Sequence, residues 1–272
     1  MRLVIAAHHE AGAPKIAKDI AEHGIEEVFA GIPVSQRIDI RESYNSITAC
    51  GGEFLIPEDS RWPLALNDLE VPPVALIVKG EISTLNEPSL AIVGTRNPTP
   101  YGIRNAQEFA AGFVDREWAI VSGGAYGIDS AAHKGALIAE GVTIAVTASG
   151  LDSSYPAGNQ RLFDEIVENG AIVTEYLPGA IARPHRFLVR NRLIAALSRG
   201  TVVVEAAFRS GSLRTARDAS DLLRPVMAIP GPINAPTSEG CHRLIGERSA
   251  ELVSSVADAY ELLTSLVTAQ GK

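Results

Sequence analysis

A chain of 272 residues, 46 % hydrophobic and broken at regular intervals by 24 glycines and 16 prolines, is long enough for one large α/β domain with a small appendage. Its apolar runs fall short of the roughly 18 residues that a membrane span needs, no signal-peptide pattern follows Met1, and Cys50 and Cys241 stand far apart in no metal-ligand spacing, so a cytoplasmic protein with reduced thiols and no membrane partner is expected. The net charge of −8 argues against a nucleic-acid binder taken alone, yet residues 181–224 hold nine arginines against Glu205, Asp218 and Asp221.

In chain order, Pro14–His23 reads as a short helix stopped by Gly24, and Ile25–Ala30 as a second that ends at Gly31. Residues 1–50 therefore form a small helical module, too short for a large core. Phe54–Pro88 reads as a connector with an extra edge strand at Val74–Val78. From Leu90 onward, short apolar runs alternate with helical segments. The runs are Leu90–Val93, Ala119–Val121, Thr143–Ala148, Ala171–Thr174, Thr201–Glu205 and Val226–Ile229; the helices fall at about 103–116, 129–140, 160–169, 189–198 and 213–223. Runs that are apolar throughout imply burial on both faces. The expected fold is α/β: a Rossmann-like, doubly wound, mostly parallel sheet over 51–250. The tail, 251–272, is expected as a helix with Leu252, Val253, Val256, Ala259, Tyr260 and Leu263 on one face, a stripe that serves either the core or a dimer surface.

In doubly wound folds ligands sit beyond the carboxyl ends of the strands, so the loops there carry the argument. Gly94-Thr95-Arg96 follows the first core strand and aims Arg96 over the sheet edge. Ser122-Gly123-Gly124 follows the second, with glycines that leave amides available to an anion; Ser210-Gly211-Ser212 precedes a helix for which Ser212 is the expected cap. An intact G-x-G-x-x-G after the first strand and a G-x-x-x-x-G-K-[ST] loop are both missing, which speaks against a nicotinamide enzyme or P-loop ATPase and for no cofactor. Asp129 and His133, four apart on one helix, are positioned to pair. Glu205 ends a strand where a general base would be placed. Arg183, Arg186, Arg199 and Arg217 either extend an anion site or serve as surface solubilisers.

The ordered series Ala91–Arg96, Val121–His133, Ser149–Asp152, Tyr155-Pro156 with Asn159, Thr174–Tyr176, Arg190–Ala195, Val203–Ala206, Ser210–Ser212, Ile229–Gly231 and Leu244-Ile245 resembles the DprA/Smf family of DNA-processing proteins over about 53–250. The start of the chain is similar to the SAM or helix-hairpin-helix-like module that such proteins often carry. The resemblance implies a non-enzymatic binder of single-stranded DNA that works as a homodimer, delivers DNA to the RecA recombinase and assists natural transformation. It implies Gly94, Arg96, Ser122, Gly123, Gly124, Asn159, Arg190, Asn191, Arg192, Ser210, Gly211 and Ser212 at the DNA pocket, with Tyr155 or Tyr126 for the bases. The winged-helix-like C-terminal domain of many relatives is not expected here. The alternative is a sensor or hydrolase of small nucleotides, similar to Rossmann-like nucleotide hydrolases. Their P-G-G-x-G-T-x-x-E arrangement is replaced here by Ser210–Thr215.

Overall fold

A computed structural model describes residues 1–270, with side chains to residue 265. Four helices open the chain: α1 (Arg2–His8), α2 (Pro14–His23), α3 (Ile25–Ala30) and α4 (Ile40–Ala49). Proline at its first position preorganises α2, and Gly24 (φ 85°) stops it. The carboxylate of Asp39 accepts from the Glu42 amide (3.0 Å) at the start of α4. Val4, Ile5, Ile16 and Ile32 form the small core of this module, and Leu3 with Ile47 packs it against Ile77 of the sheet.

The sheet of the described residues has nine strands: β1 (Glu53–Leu55), β2 (Leu76–Gly80), β3 (Ser89–Val93), β4 (Ala119–Ser122), β5 (Thr143–Val146), β6 (Gly170–Thr174), β7 (Gly200–Val203), β8 (Val226–Ala228) and β9 (Glu251–Leu252). Their order is β1-β2-β6-β5-β4-β3-β7-β8-β9; the pairs β1–β2 and β2–β6 are antiparallel and the others parallel, so β2 alone runs against the rest. The expected doubly wound, mostly parallel sheet is therefore present. Intervening helices are α5 (Pro100–Val114), α6 (Ile128–Ile138), α7 (Gln160–Asn169), α8 (Pro184–Leu197), α9 (Ser212–Asp221), α10 (Glu239–Gly246) and α11 (Val256–Gln270). Strand periodicity sends alternate residues to opposite faces. Leu90 and Ile92 pack with Phe109 and Phe113 of α5, whereas Ala91 and Val93 pack on the face of Leu193, Leu197 and Leu213 from α8 and α9. Both faces are dry, which is why the strands read as unbroken apolar runs.

Three expectations need correction. The connector strand is not an edge: β2 lies between β1 and β6, pairing Val78 with Val173 in antiparallel register, and β1 takes the edge. The tail does not form one helix from 251. Glu251–Leu252 is a strand beside β8, with Leu252 half-exposed, and α11 begins at Val256. Its Ala259, Tyr260 and Leu263 pack in the core against Phe113 and Trp118, so this stripe is spent inside the fold; its expected continuation to 272 passes outside the described residues. The third concerns α8, which starts at Pro184, five residues before the expected 189, because a proline at the first position needs no amide partner.

Candidate nucleic-acid groove

The strand order reverses between β3 and β7, and there a crevice opens at the carboxyl edge of the sheet. It is an open cavity of about 570 Å³, whose walls are the β3–α5 loop (Gly94, Arg96), the first turns of α8 (Pro184, Phe187, Leu188) and the start of α9 (Ser210, Gly211, Ser212). Neither α8 nor α9 has a side-chain bond from its N-cap residue or an acidic residue of its own in the first turn, so two positive helix ends border one space, the first with the Glu10 carboxylate beside it on His185 and Arg186. Ser212 is the first helical residue rather than the expected cap; Ser210 Oγ lies 2.8 Å from Ser212 Oγ and accepts from its amide at 3.4 Å. Asn191 donates to the carbonyl of Gly211 (3.2 Å) and ties α8 to this loop.

Arg96 is exposed, and its guanidinium stands 5.1 Å from the ring centre of Phe187. Phe187 in turn meets the half-exposed Tyr155 at 5.3 Å. Together they form a cation beside two flat apolar rings, the chemistry that grips a phosphate and stacks a base. Phe187 escaped the sequence reading, because an aromatic residue in an arginine-rich helix start carries no signal of its own. Tyr126, half-exposed, is not among the residues that line the cavity, and its hydroxyl lies beside Gly158.

Of the expected residues, Gly94, Arg96, Arg190, Asn191, Ser210, Gly211 and Ser212 line the cavity, and Ser122, Gly123, Gly124, Asn159 and Arg192 do not. The β4–α6 turn does not present its amides to solvent. Ser122 Oγ donates to the Ile92 carbonyl (2.7 Å) and Asn159 Nδ2 to the Gly124 carbonyl (2.9 Å). The carboxylate of Asp129 accepts from Ala125 N at 3.4 Å and is also bonded by the Gly123 amide, so these two amides are satisfied within the protein. Burial raises the pKa of Asp129, and nearby Arg190 opposes that rise. Arg190 itself is buried, donates to the carbonyls of Gly123 (2.8 Å) and Val146, and is drawn down to about 10 by burial. It underpins the floor of the groove. The expected Asp129–His133 pair is replaced by a contact of His133 Nδ1 with Thr143 Oγ1 at 2.7 Å.

The arginine excess is also partly spent inside the protein. Arg186 pairs with Glu10 of the N-terminal module (2.6 Å), Arg192 with Glu175 (2.8 Å), Arg214 with Asp218 (2.7 Å) and Arg224 with Asp68 (2.9 Å). Arg199 lies over Trp118. Among the described residues Arg183, Arg209 and Arg217 are exposed with no carboxylate within 4 Å. Arg183 and Arg209 adjoin the lining residues Pro184 and Ser210; Arg217 faces a separate crevice between α9 and α10. Among the exposed arginines Arg96 lines the groove, and Arg183 and Arg209 stand next in sequence to its lining residues.

A DNA processing protein DprA of Mycobacterium tuberculosis is 43 % identical over 226 residues, covering 78 % of this chain and 58 % of its own length. The chain thus spans a little over half of the first curated relatives it matches. The X-ray structure of DprA from Streptococcus pneumoniae superposes with a TM-score of 0.79 at 38 % identity, covering 91 % of this chain and 85 % of that one. A DprA structure from Helicobacter pylori, described for its single-stranded DNA binding mode, superposes with a TM-score of 0.70 at 32 % identity, covering 79 % and 96 %. The family model for DNA recombination-mediator protein A matches residues 53–264. This chain belongs to the DNA recombination-mediator protein A family.

Proposed function

We propose that the chain binds single-stranded DNA along the groove between Arg96, α8 and α9, and acts as a non-enzymatic recombination mediator in the cytoplasm. The observation that carries this reading is the groove itself, where exposed Arg96 stands beside the Phe187–Tyr155 pair and two positive helix ends. An open trough with an exposed arginine and flat rings suits a flexible strand whose bases are unpaired; a duplex hides its base faces. The single-stranded DNA binding of the H. pylori relative supports the reading. Glu205, the carboxylate expected from the sequence as a base, does not line the groove and accepts hydrogen bonds from Thr99 and Thr237, which favours binding over nucleotide hydrolysis.

If three or four phosphates are neutralised, log affinity for oligo-dT should fall against log salt with a slope of about −2 to −3, roughly thirtyfold between 50 and 200 mM. Fluorescence anisotropy measures it, with duplex and mononucleotide as controls. A flat salt response, or preference for the mononucleotide, refutes the DNA reading and favours the small-nucleotide sensor.

The proposal extends to delivery of the strand to a RecA-type recombinase and to self-association as a homodimer, both of which family membership supports. Two grooves on one particle would let a long strand bridge both, raising avidity without new contacts. Light scattering should give about twice the chain mass of 28.8 kDa, and affinity should rise once the oligonucleotide spans two grooves. A monomer mass removes the bridging mechanism.

A further inference from the structure

We propose that Glu205 is a positioning residue for DNA binding, which holds the Arg96 loop in its binding geometry across the point where the strand order reverses. Glu205 follows β7 and is 2 % exposed, yet among the described residues its carboxylate has no cationic partner. It is satisfied by the neighbouring loop instead. Thr99 donates to it twice, through its amide (2.8 Å) and its hydroxyl (2.6 Å), and Thr237 Oγ1 adds a longer contact at 3.3 Å. The backbone carbonyl of the same residue accepts from the Thr95 amide at 2.7 Å. One residue therefore fastens both ends of the segment Thr95–Thr99, and Arg96 is carried between the two fastenings.

The sheet gives this contact its leverage. β3 and β7 are parallel neighbours, with Val93 in register with Val203, and the loop after one is held by the residue two places beyond the end of the other. The carboxylate also sits at the start of α5, where a negative charge is favoured and where Thr99 is the cap. Gly102 leaves the room: a Cβ there would lie 2.2 Å from the carboxylate oxygen. A buried carboxylate bonded by two threonines, and not by a lysine or arginine, is expensive to desolvate. Retaining it is explained if the loop it fastens must stay where Phe187 and the helix ends can share a strand with Arg96.

The inference rests on the DNA-binding reading, and the test separates the two. Wild type, Glu205→Gln, Arg96→Ala and the double variant are compared by oligo-dT titration over a range of salt, and by amide hydrogen exchange of residues 95–99 without DNA. Glu205→Gln should weaken binding roughly tenfold and flatten the salt slope as Arg96→Ala does. Exchange at 95–99 should quicken. In the Arg96→Ala background the Gln substitution should add nothing, because its effect passes through that side chain. Should Glu205→Gln lose its cooperative melt, Thr99→Val, which removes one hydroxyl and keeps the carboxylate, carries the same expectations at smaller size. Losses that multiply in the double variant, or unchanged exchange at 95–99, overturn the proposal. Faster exchange in a protein whose wild type ignores oligo-dT keeps the loop fastening and overturns the DNA reading instead.

Discussion

Gly127→Ala should cost about 3 kcal/mol of stability or more and remove most of the oligonucleotide affinity. Gly127 precedes α6 with φ 87° and ψ −126°, a backbone conformation that residues bearing a Cβ adopt only under strain. Space is the second obstacle. A Cβ there would stand 2.3 Å from the carbonyl oxygen of Thr95 and 2.8 Å from two backbone atoms of Arg96. Backbone atoms cannot swing aside as a side-chain tip can, so the Arg96 loop must move or the α6 start must unwind. The hydrogen bond from the Ile128 amide to the Thr95 carbonyl (3.1 Å) would be lost with either. Gly211→Ala is the control: a Cβ there meets nothing within 4 Å and φ is −63°, so stability should stay within about 0.5 kcal/mol. Urea midpoints of both variants, with an oligo-dT titration of each, decide the matter. Equal midpoints for Gly127→Ala and wild type would refute the steric argument.

A second large effect lies in acid. His133 is fully enclosed, with Nδ1 on Thr143 Oγ1 (2.7 Å), while the Thr143 hydroxyl donates onward to the Ile120 carbonyl (2.9 Å). With that hydroxyl's hydrogen spent, Nδ1 must donate, and Nε2 is left as an unprotonated nitrogen with no partner. Burial, assisted by the nearby positive charge of Arg190, lowers the imidazole to about 3. The unfolded chain takes up a proton from about pH 6.5 downward, whereas the folded protein resists until about 3. This residue's contribution is therefore whole above pH 6.5 and is lost as the pH falls. At pH 4.5 the loss should be about 2–3 kcal/mol. Carboxylates titrate in the same range, so the measurement is a difference. Urea unfolding at pH 7.5 and 4.5 is compared between wild type and His133→Asn, which keeps an amide donor and has no titrating ring. Equal pH dependence in the two proteins would show that His133 is not held neutral.

Much of the central domain was legible because physics writes it locally. A strand covered on both faces must be largely apolar, and β3 to β8 are written that way, with single buried serines and threonines as the exceptions. Partnerships across the sheet are not local. Nothing near Val78 announces that it pairs with Val173, so β2 read as an edge. Helix α4 went unread although Asp39 and Glu42 stand in capping positions; α1, with no side-chain cap, offered less. Within the groove, Arg96 and the Ser210–Ser212 loop were visible because strand ends carry ligands in this architecture. Arginine counting overstated the rest. A sequence cannot show that Arg186 is already matched by Glu10, 176 residues earlier, or that Asp129 fills its own turn.

The place of β2 has a consequence for where the domain can be cut. A fragment beginning at Ser89 would contain every parallel strand and all of the groove. It would also strip the backbone of β6 of the partner that Ile77–Gly80 supplies, leaving a buried-type strand with a bare hydrogen-bonding edge. Such an edge pairs with another chain as readily as with its own. Keeping that partner and its own neighbour requires a cut no later than Glu53, where the short strand β1, with its exposed Glu53, forms the edge of the sheet.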